Sequence, residues 1–210
     1  MRISIAIMAH PKRGREAGIL YRRVKKMPFT QATLVMDTTN TEWATGKAAL
    51  QAYRQPSDYH VVIQDDAILT PNFYENVEGA IKALDQKTII SLYTGTSRPL
   101  GKRVQAAVNK AADGDMLRHN QLFWGVGIAI PTSHIEPMLE FVEDIALQYD
   151  NKIGEFYCRN ALPVYYTIPS LVDHDDDKPS LLGHGQSPEP RVAHRPATGP
   201  VTWTKKRHYI

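Results

Sequence analysis

Short, solidly apolar runs alternate along this chain with longer stretches in which apolar residues recur every three or four positions. The short β-branched runs read as buried strands, and the 3.6-residue recurrence reads as amphipathic helix. Ile3 to Met8 predicts the first strand. A basic helix follows over roughly Arg15 to Lys26, with Ile19, Leu20 and Val24 as its apolar stripe, and Pro28 ends it. Ala32 to Met36 predicts a second strand closed by Asp37, then a turn-rich loop to Glu42 and a helix over Trp43 to Tyr53. Val61-Val62-Ile63 is the third strand. Thr70 as N-cap and Pro71 at the first helical position then start a helix running to about Leu84.

Thr88 to Tyr93 predicts a further strand, and Thr96 to Asn120 is polar and basic. Trp124 to Ile130 is strand-like and glycine-rich. Pro131-Thr132-Ser133 starts an amphipathic helix through Phe141, a second helix spans Lys152 to Arg159, and Val164 to Ile168 is the last strand. The alternation predicts an α/β fold, a single Rossmann-like domain with a mostly parallel central sheet flanked by helices, over residues 1–183. The proline- and glycine-rich remainder, 184–210, reads as an irregular basic tail packing over the site.

Composition narrows the class. With 210 residues, 42% hydrophobic and 22% charged, the chain suits one domain with a tail. No apolar run approaches membrane-spanning length, and the apolar N-terminus is too short for a signal peptide. The single cysteine, Cys158, fits a reducing cytoplasm and reads as a small packed side chain. A net charge of +3 tolerates an anionic partner without demanding one. No protein partner is indicated. There is no GxGxxG and no Walker lysine loop, which weighs against dinucleotide oxidoreductases and P-loop enzymes.

The candidate chemistry sits where strands end. In open α/β sheets, ligands bind beyond the carboxyl ends of the strands. There the chain carries His10, Asp37, Asp65, Asp66 and, after the last strand, His174. Adjacent carboxylates repel and lose hydration near a core, and a divalent cation with open positions for phosphate oxygens relieves both costs. An exposed acidic turn is the other reading. His10, Arg13 and Lys47 are placed for base, ribose or diphosphate, and for the two cations a solvated surface is the alternative. Asp37 reads as a nucleoside ligand or an Asx-turn residue. Trp43 reads as a stacking platform or core. Gly125 and Gly127 read as close backbone approaches to a sugar or as bulges. In the tail, Arg191, His194 and Arg195 are candidates to fold over a diphosphate.

Ile63-Gln-Asp-Asp-Ala-Ile68 resembles the Leu-Glu-Asp-Asp-Ala signature of glycosyltransferase family 25 and related GT-A-fold glycosyltransferases. Trp124 to Ile130 is similar to the strand that follows it there, and Tyr165 to His174 resembles the closing strand and metal-side loop. The order Met8-Ala-His-Pro11, Gln64-Asp-Asp-Ala67, Pro169-Ser-Leu-Val-Asp-His174 also resembles the short glycosyltransferase-like proteins of actinobacterial phages, from Met1 to about His194. Gln64 departs from family 25, where an acidic residue is common, and leaves the ligand choice among Gln64, Asp65 and Asp66 open.

The resemblance implies a GT-A-like fold and transfer of a sugar from a nucleotide sugar, a UDP-sugar first, to an acceptor hydroxyl. It implies Mn²⁺ or Mg²⁺ held by Asp65, Asp66 and His174, and donor contacts from His10, Arg13, Asp37, Trp43, Lys47, Asp65, Gly125, Arg191 and Arg195. An inverting transfer needs a general base, for which Asp150 ranks before Glu155, with helix capping as the other role for Asp150. The phage likeness implies a hydroxymethylated pyrimidine in DNA as acceptor, in the host cytoplasm, with the basic segment Arg98 to Arg118 and Lys205 to His208 tracking phosphates. Other acceptors are a glycan, a lipid-linked sugar or a protein. A non-catalytic nucleic-acid-binding protein of the same fold is the reading from another class.

Overall fold

The computed structural model describes residues 1–97, 101–175 and 190–210. Arg98, Asp176 and the expected domain boundary at 183/184 lie outside the described residues.

The apolar runs become the centre of a mixed sheet. Strand β1 (Ile3–Ala9) is buried along its whole length, and β3 (Tyr59–Gln64) is buried up to Ile63, as strands covered on both faces must be. β1 pairs in parallel with β2 (Ala32–Met36) on one side and β3 on the other. The sheet continues through β7 (Gly127–Pro131), β5 (Ile90–Ser91), β8 (Val164–Thr167), β6 (Met116–His119) and β10 (Arg207–Tyr209), in the order β10-β6-β8-β5-β7-β3-β1-β2. Four of the seven neighbouring pairs are parallel. β7 runs against β3 and β5, and β6 against β8. The fold is mixed α/β, and its parallel half is the Rossmann-like part. The strand order reverses at β1, where a crevice opens between the ends of β1 and β3.

Helix α1 (Gly14–Val24) packs on β1 and β2 through Ala17, Leu20 and Val24. Ile19, expected in that stripe, faces solvent at 53% exposure, because Ala17 completes the i, i+3, i+7 face instead. α2 (Glu42–Leu50) lies against β1, β2 and β3. α3 (Phe73–Lys82) starts later than expected. Thr70 does not cap it: the Thr70 hydroxyl donates to the Leu171 carbonyl at 2.8 Å, and Asn72 in left-handed backbone (φ 53°) takes the N-cap position.

The polar stretch after Thr96 holds two elements that were not expected, α4 (Gly101–Lys110) and β6. α5 (Thr132–Phe141) and α6 (Tyr149–Arg159) complete the layers. A separate two-stranded antiparallel sheet joins β4 (Ala67–Leu69) to β9 (Val172–His174), pairing Ala67 with His174. From residue 190 the tail is irregular until β10, which joins the sheet edge parallel to β6. Among the described residues, no helix is long and apolar enough to cross a membrane.

Candidate active site

Three local features build the site. β1 ends at Ala9, and His10 turns the chain into a short 3₁₀ segment, Pro11–Arg13, that throws the Arg13 side chain back across the strand ends. β3 ends at Gln64 and delivers Asp65 and Asp66. The β4/β9 ladder then lays His174 opposite Ala67, and the Asp175 N–H donates to the Asp66 carbonyl at 3.0 Å.

Arg13, Asp65, Asp66 and His174 are all buried. One guanidinium nitrogen, Nη1 of Arg13, reaches Asp65 Oδ1 at 2.8 Å and Asp66 Oδ2 at 2.6 Å. The other oxygen of Asp65, Oδ2, accepts the His10 N–H at 2.8 Å. Nε2 of His174 lies 3.3 Å from Asp66 Oδ2. The doublet is therefore not a bare repulsive pair. Burial and the Asp66 charge push the Asp65 carboxyl up, against the pull of the His10 N–H and Arg13. Burial acts upward on Asp66 as well, but His174 and Arg13 outweigh it and hold its pKa at about 2.

Around this cluster opens a cleft of about 290 Å³. It brings together seven of the expected residues, His10, Arg13, Asp37, Asp65, Asp66, His174 and Arg191, from five separate stretches of chain. Asp37 also holds an Asx turn: its Oδ1 accepts the N–H groups of Thr39 at 2.9 Å and Asn40 at 3.0 Å. Arg191 arrives on a strap. Gly95 bridges Ala193, Thr96 donates to the Val192 carbonyl, and Asp173 Oδ1 accepts the Ala193 N–H at 2.7 Å.

Other expected residues are not brought to the cleft. Trp43 packs beside Tyr149 with the Lys152 ammonium 4.5 Å from its ring centre. Lys47 pairs with Glu143, and Glu155 pairs with Arg159 on the helix surface. Arg195 holds the tail down, donating to the Ala111 carbonyl at 2.8 Å with Asp113 at 3.1 Å. Gly125 lets α6 approach: a Cβ there would lie 3.0 Å from the Tyr149 ring and 3.2 Å from Asp150 Cβ. Asp150 so borders the loop whose Val126 carbonyl accepts the Gln64 N–H at 2.9 Å, one step from the doublet. It is not the N-cap of α6; Gln148 is. Sequence reasoning missed Asn40, Glu42 and Thr45 as lining residues.

Asp66 and His174 carry donors that a divalent cation takes, a carboxylate and an imidazole, but their Oδ2 and Nε2 are here in contact with each other at 3.3 Å, and Arg13 holds the same oxygen at 2.6 Å. Asp66 Oδ1 and His174 Nδ1 are buried with no hydrogen-bond partner among the described residues. Among those residues no group of three His, Cys, Asp or Glu side chains is arranged to hold a metal. Two protein ligands would leave the remaining positions to phosphate oxygens and water.

No protein-family model matches the chain, and no curated protein matches its sequence. Solved structures do match its shape. The crystal structure of A197 from STIV superposes with a TM-score of 0.52 at 12% identity, over 93% of this chain and 94% of that one. A Drosophila β-1,4-galactosyltransferase 7 mutant, in complex with manganese, UDP-Gal and xylobiose, gives a TM-score of 0.42 at 12% identity, over 83% of this chain and 71% of that one. The class these observations define is a mixed α/β protein with an acidic, arginine-bridged cleft at a strand switch point. The likeness to A197 is one of fold alone.

Proposed function

We propose that this chain is a glycosyltransferase that moves a sugar from a nucleotide sugar, a UDP-sugar first, to an acceptor hydroxyl. The observation that carries the reading is the meeting of the Gln-Asp-Asp-Ala doublet with Arg13 and His174 at the switch point of the sheet, in one cleft with His10, Asp37 and Arg191. These groups are what a nucleoside diphosphate needs: acceptors for ribose hydroxyls, cations for phosphates and ligands for a bridging metal.

In this reading Asp37 and His10 hold the nucleoside, and Asp65, fixed by the His10 N–H and Arg13, faces the ribose. Arg191 closes on the diphosphate from the strap. Asp66 and His174 hold Mn²⁺ or Mg²⁺. When bound, such a cation neutralises the charge that develops on a departing diphosphate. Asp150, beside Gly125 and in the first turn of α6, takes the acceptor proton if the transfer inverts configuration. The acceptor we propose is a hydroxymethylated pyrimidine in DNA. Mass analysis of nucleosides after incubation with nucleotide sugars and plain or hydroxymethylated DNA separates it from glycan, lipid-linked or peptide acceptors.

The site itself is tested by ligand-induced stabilisation. UDP with Mn²⁺ should raise the Tm of the wild-type protein, since a ligand that binds only the folded state stabilises it. Asp66→Asn should lose that rise while still folding. An undiminished rise in Asp66→Asn, or none in the wild type with any nucleoside diphosphate, would overturn the donor-site reading.

A further inference from the structure

The surface of α1 is far more basic than a packing helix requires. Lys12 before it, Arg15, Arg22 and Arg23 in it, and Lys25 and Lys26 in the turn after it are all exposed, while its acidic residue is Glu16 alone. Among the described residues, Lys12, Arg15, Arg22, Lys25 and Lys26 have no carboxylate partner. Arg23 spends one donor on the Leu69 carbonyl at 3.3 Å. Arg22 in the last turn and Lys26 in the turn after it stand four residues apart, and their like charges repel. The helix dipole accounts for cations in the last turn, but it disfavours Lys12 and Arg15 at the N-terminal end. Apart from Arg23 and the Lys25 ammonium, which lies 5.8 Å from the Tyr21 ring centre, neither packing nor the cleft chemistry uses this charge.

Its position does suggest a use. α1 follows directly on Arg13, in the wall of the cleft, so its cationic face, on the solvent side of the helix, begins at the cleft end of the sheet and runs away from it. Arg15 and Arg22 fall on one stripe of the helix, about 10 Å apart along its axis, and Lys26 follows in the turn beyond it. Phosphates on one DNA strand follow one another every ~3.4 Å of helix axis. We propose that this face of α1 is a track for the phosphate backbone of a nucleic-acid acceptor, leading the polymer to the cleft. The word acceptor rests on the glycosyl-transfer reading; the binding itself does not.

The other macromolecular anion, a membrane surface, fits less well. A helix that lies in a membrane buries its apolar face in lipid. Here Ala17, Leu20 and Val24 are already buried against the sheet, and Ile19 is the one large apolar side chain exposed among the cations. The tail fits less well too. Arg207 donates to the Ala83 carbonyl at 2.6 Å and covers the Tyr165 ring, and Lys206 lies 3.8 Å from Asp115, so two of its cations serve the fold.

The test uses the full chain and a fluorescent 25-base-pair duplex of arbitrary sequence, without donor, titrated over a range of salt. The triple variant Arg15→Gln, Arg22→Gln, Lys26→Gln keeps good helix formers at each site. It should bind DNA more weakly regardless of sequence, with the log–log salt slope reduced by about 0.9 per lost contact. Its stabilisation by UDP and Mn²⁺ should match the wild type. The proposal is overturned if the triple variant binds like the wild type, if neutralising Lys102, Arg103 and Lys110 on α4 removes binding instead, or if the wild type binds no DNA. Binding to phosphatidylglycerol vesicles that Ile19→Asp abolishes, with no DNA binding, would assign the face to a membrane. DNA binding lost in the triple variant but no sugar transfer with any donor would leave the track standing and sink the glycosyltransferase reading.

Discussion

Arg13 holds two buried carboxylates with a single nitrogen, and this sets the energetics of the cleft. Removing one partner of a buried ion pair strands the others and costs about 3–5 kcal/mol. Arg13→Met should therefore lower stability by that order, because Asp65 and Asp66 lose their shared counterion. Mn²⁺ should then raise the melting temperature of Arg13→Met more than that of the wild type, a thermal measurement that needs no turnover. Equal shifts in both proteins would mean that cation and guanidinium do not share the same carboxylates. A second residue, His60, shows a buried titratable group with no role in the chemistry. Its ring sits between Ser4 Oγ and the Ala49 carbonyl, both at 2.8 Å, and burial lowers its pKa to about 4. Because the folded pKa lies below the unfolded value near 6.5, the unfolded state binds more protons between the two. Stability is full above about pH 6.5 and is lost as the pH falls towards 4. The loss at pH 5 relative to pH 7.5 comes to about 2 kcal/mol. Urea unfolding at the two pH values should show it, and His60→Gln should remove that part of the slope.

At the scale of elements, what could be read in the sequence was what local pattern determines. β2, half-buried at the sheet edge, matches its expected bounds, and β1 and β3 extend theirs by a residue or more, because a continuous apolar run buried on both faces, as in β1 and β3, has no competing local reading. The strand-end rule then located His10, Asp37, Asp65 and Asp66. α4 carries Val104, Ala107 and Val108 at the i, i+3, i+4 spacing of a packed face, but the surrounding cations masked it. β4 and β9 have three residues each and pair across a hundred positions, so nothing local announces them. Thr70-Pro71 imitates a helix start, yet the Thr70 hydroxyl is claimed by Leu171 beside that same ladder. Angular position explains the donor residues that went elsewhere. Thr45 of α2 lines the cleft, and a residue two positions along a helix is turned by about 200°. Trp43 and Lys47, two before and two after it, therefore face away. Arg191 and Arg195 belong to one strap, and long-range contacts such as those with Thr96, Asp173 and Ser170 set which of them meets the cleft.

For the molecule as a whole, the described part of the tail crosses from the strap near the cleft to the far edge of the sheet. There it is seated both by apolar side chains, with Ile210 buried and Trp203 packed on the core, and by a buried polar cluster. Asp115, buried, accepts from His208 Nε2 at 2.8 Å, Thr204 Oγ1 at 2.7 Å and the Ala112 N–H at 3.0 Å. Burial opposes its ionisation, but those donors prevail and hold its pKa below the usual carboxylate value. Gly114, at φ +93°, leaves room for the Thr202 carbonyl, which would lie 2.0 Å from any Cβ placed there. β10 then extends the sheet by three residues, too few to hold by pairing alone. The carboxylate should therefore be the group that keeps the tail docked. Asp115→Asn preserves the side chain's shape but replaces charged hydrogen bonds with neutral ones, and should cost on the order of 2 kcal/mol. Hydrogen exchange should speed up at the amides of 207–210, while protection in β1 and β3 and stabilisation by UDP with Mn²⁺ stay unchanged. Loss of donor stabilisation together with tail release would instead mean that the strap and β10 dock as one unit, with Arg191 leaving the cleft whenever the edge strand opens. Unchanged exchange at 207–210 would show that backbone pairing and the Arg207 contacts suffice, and that Asp115 does not hold the seam.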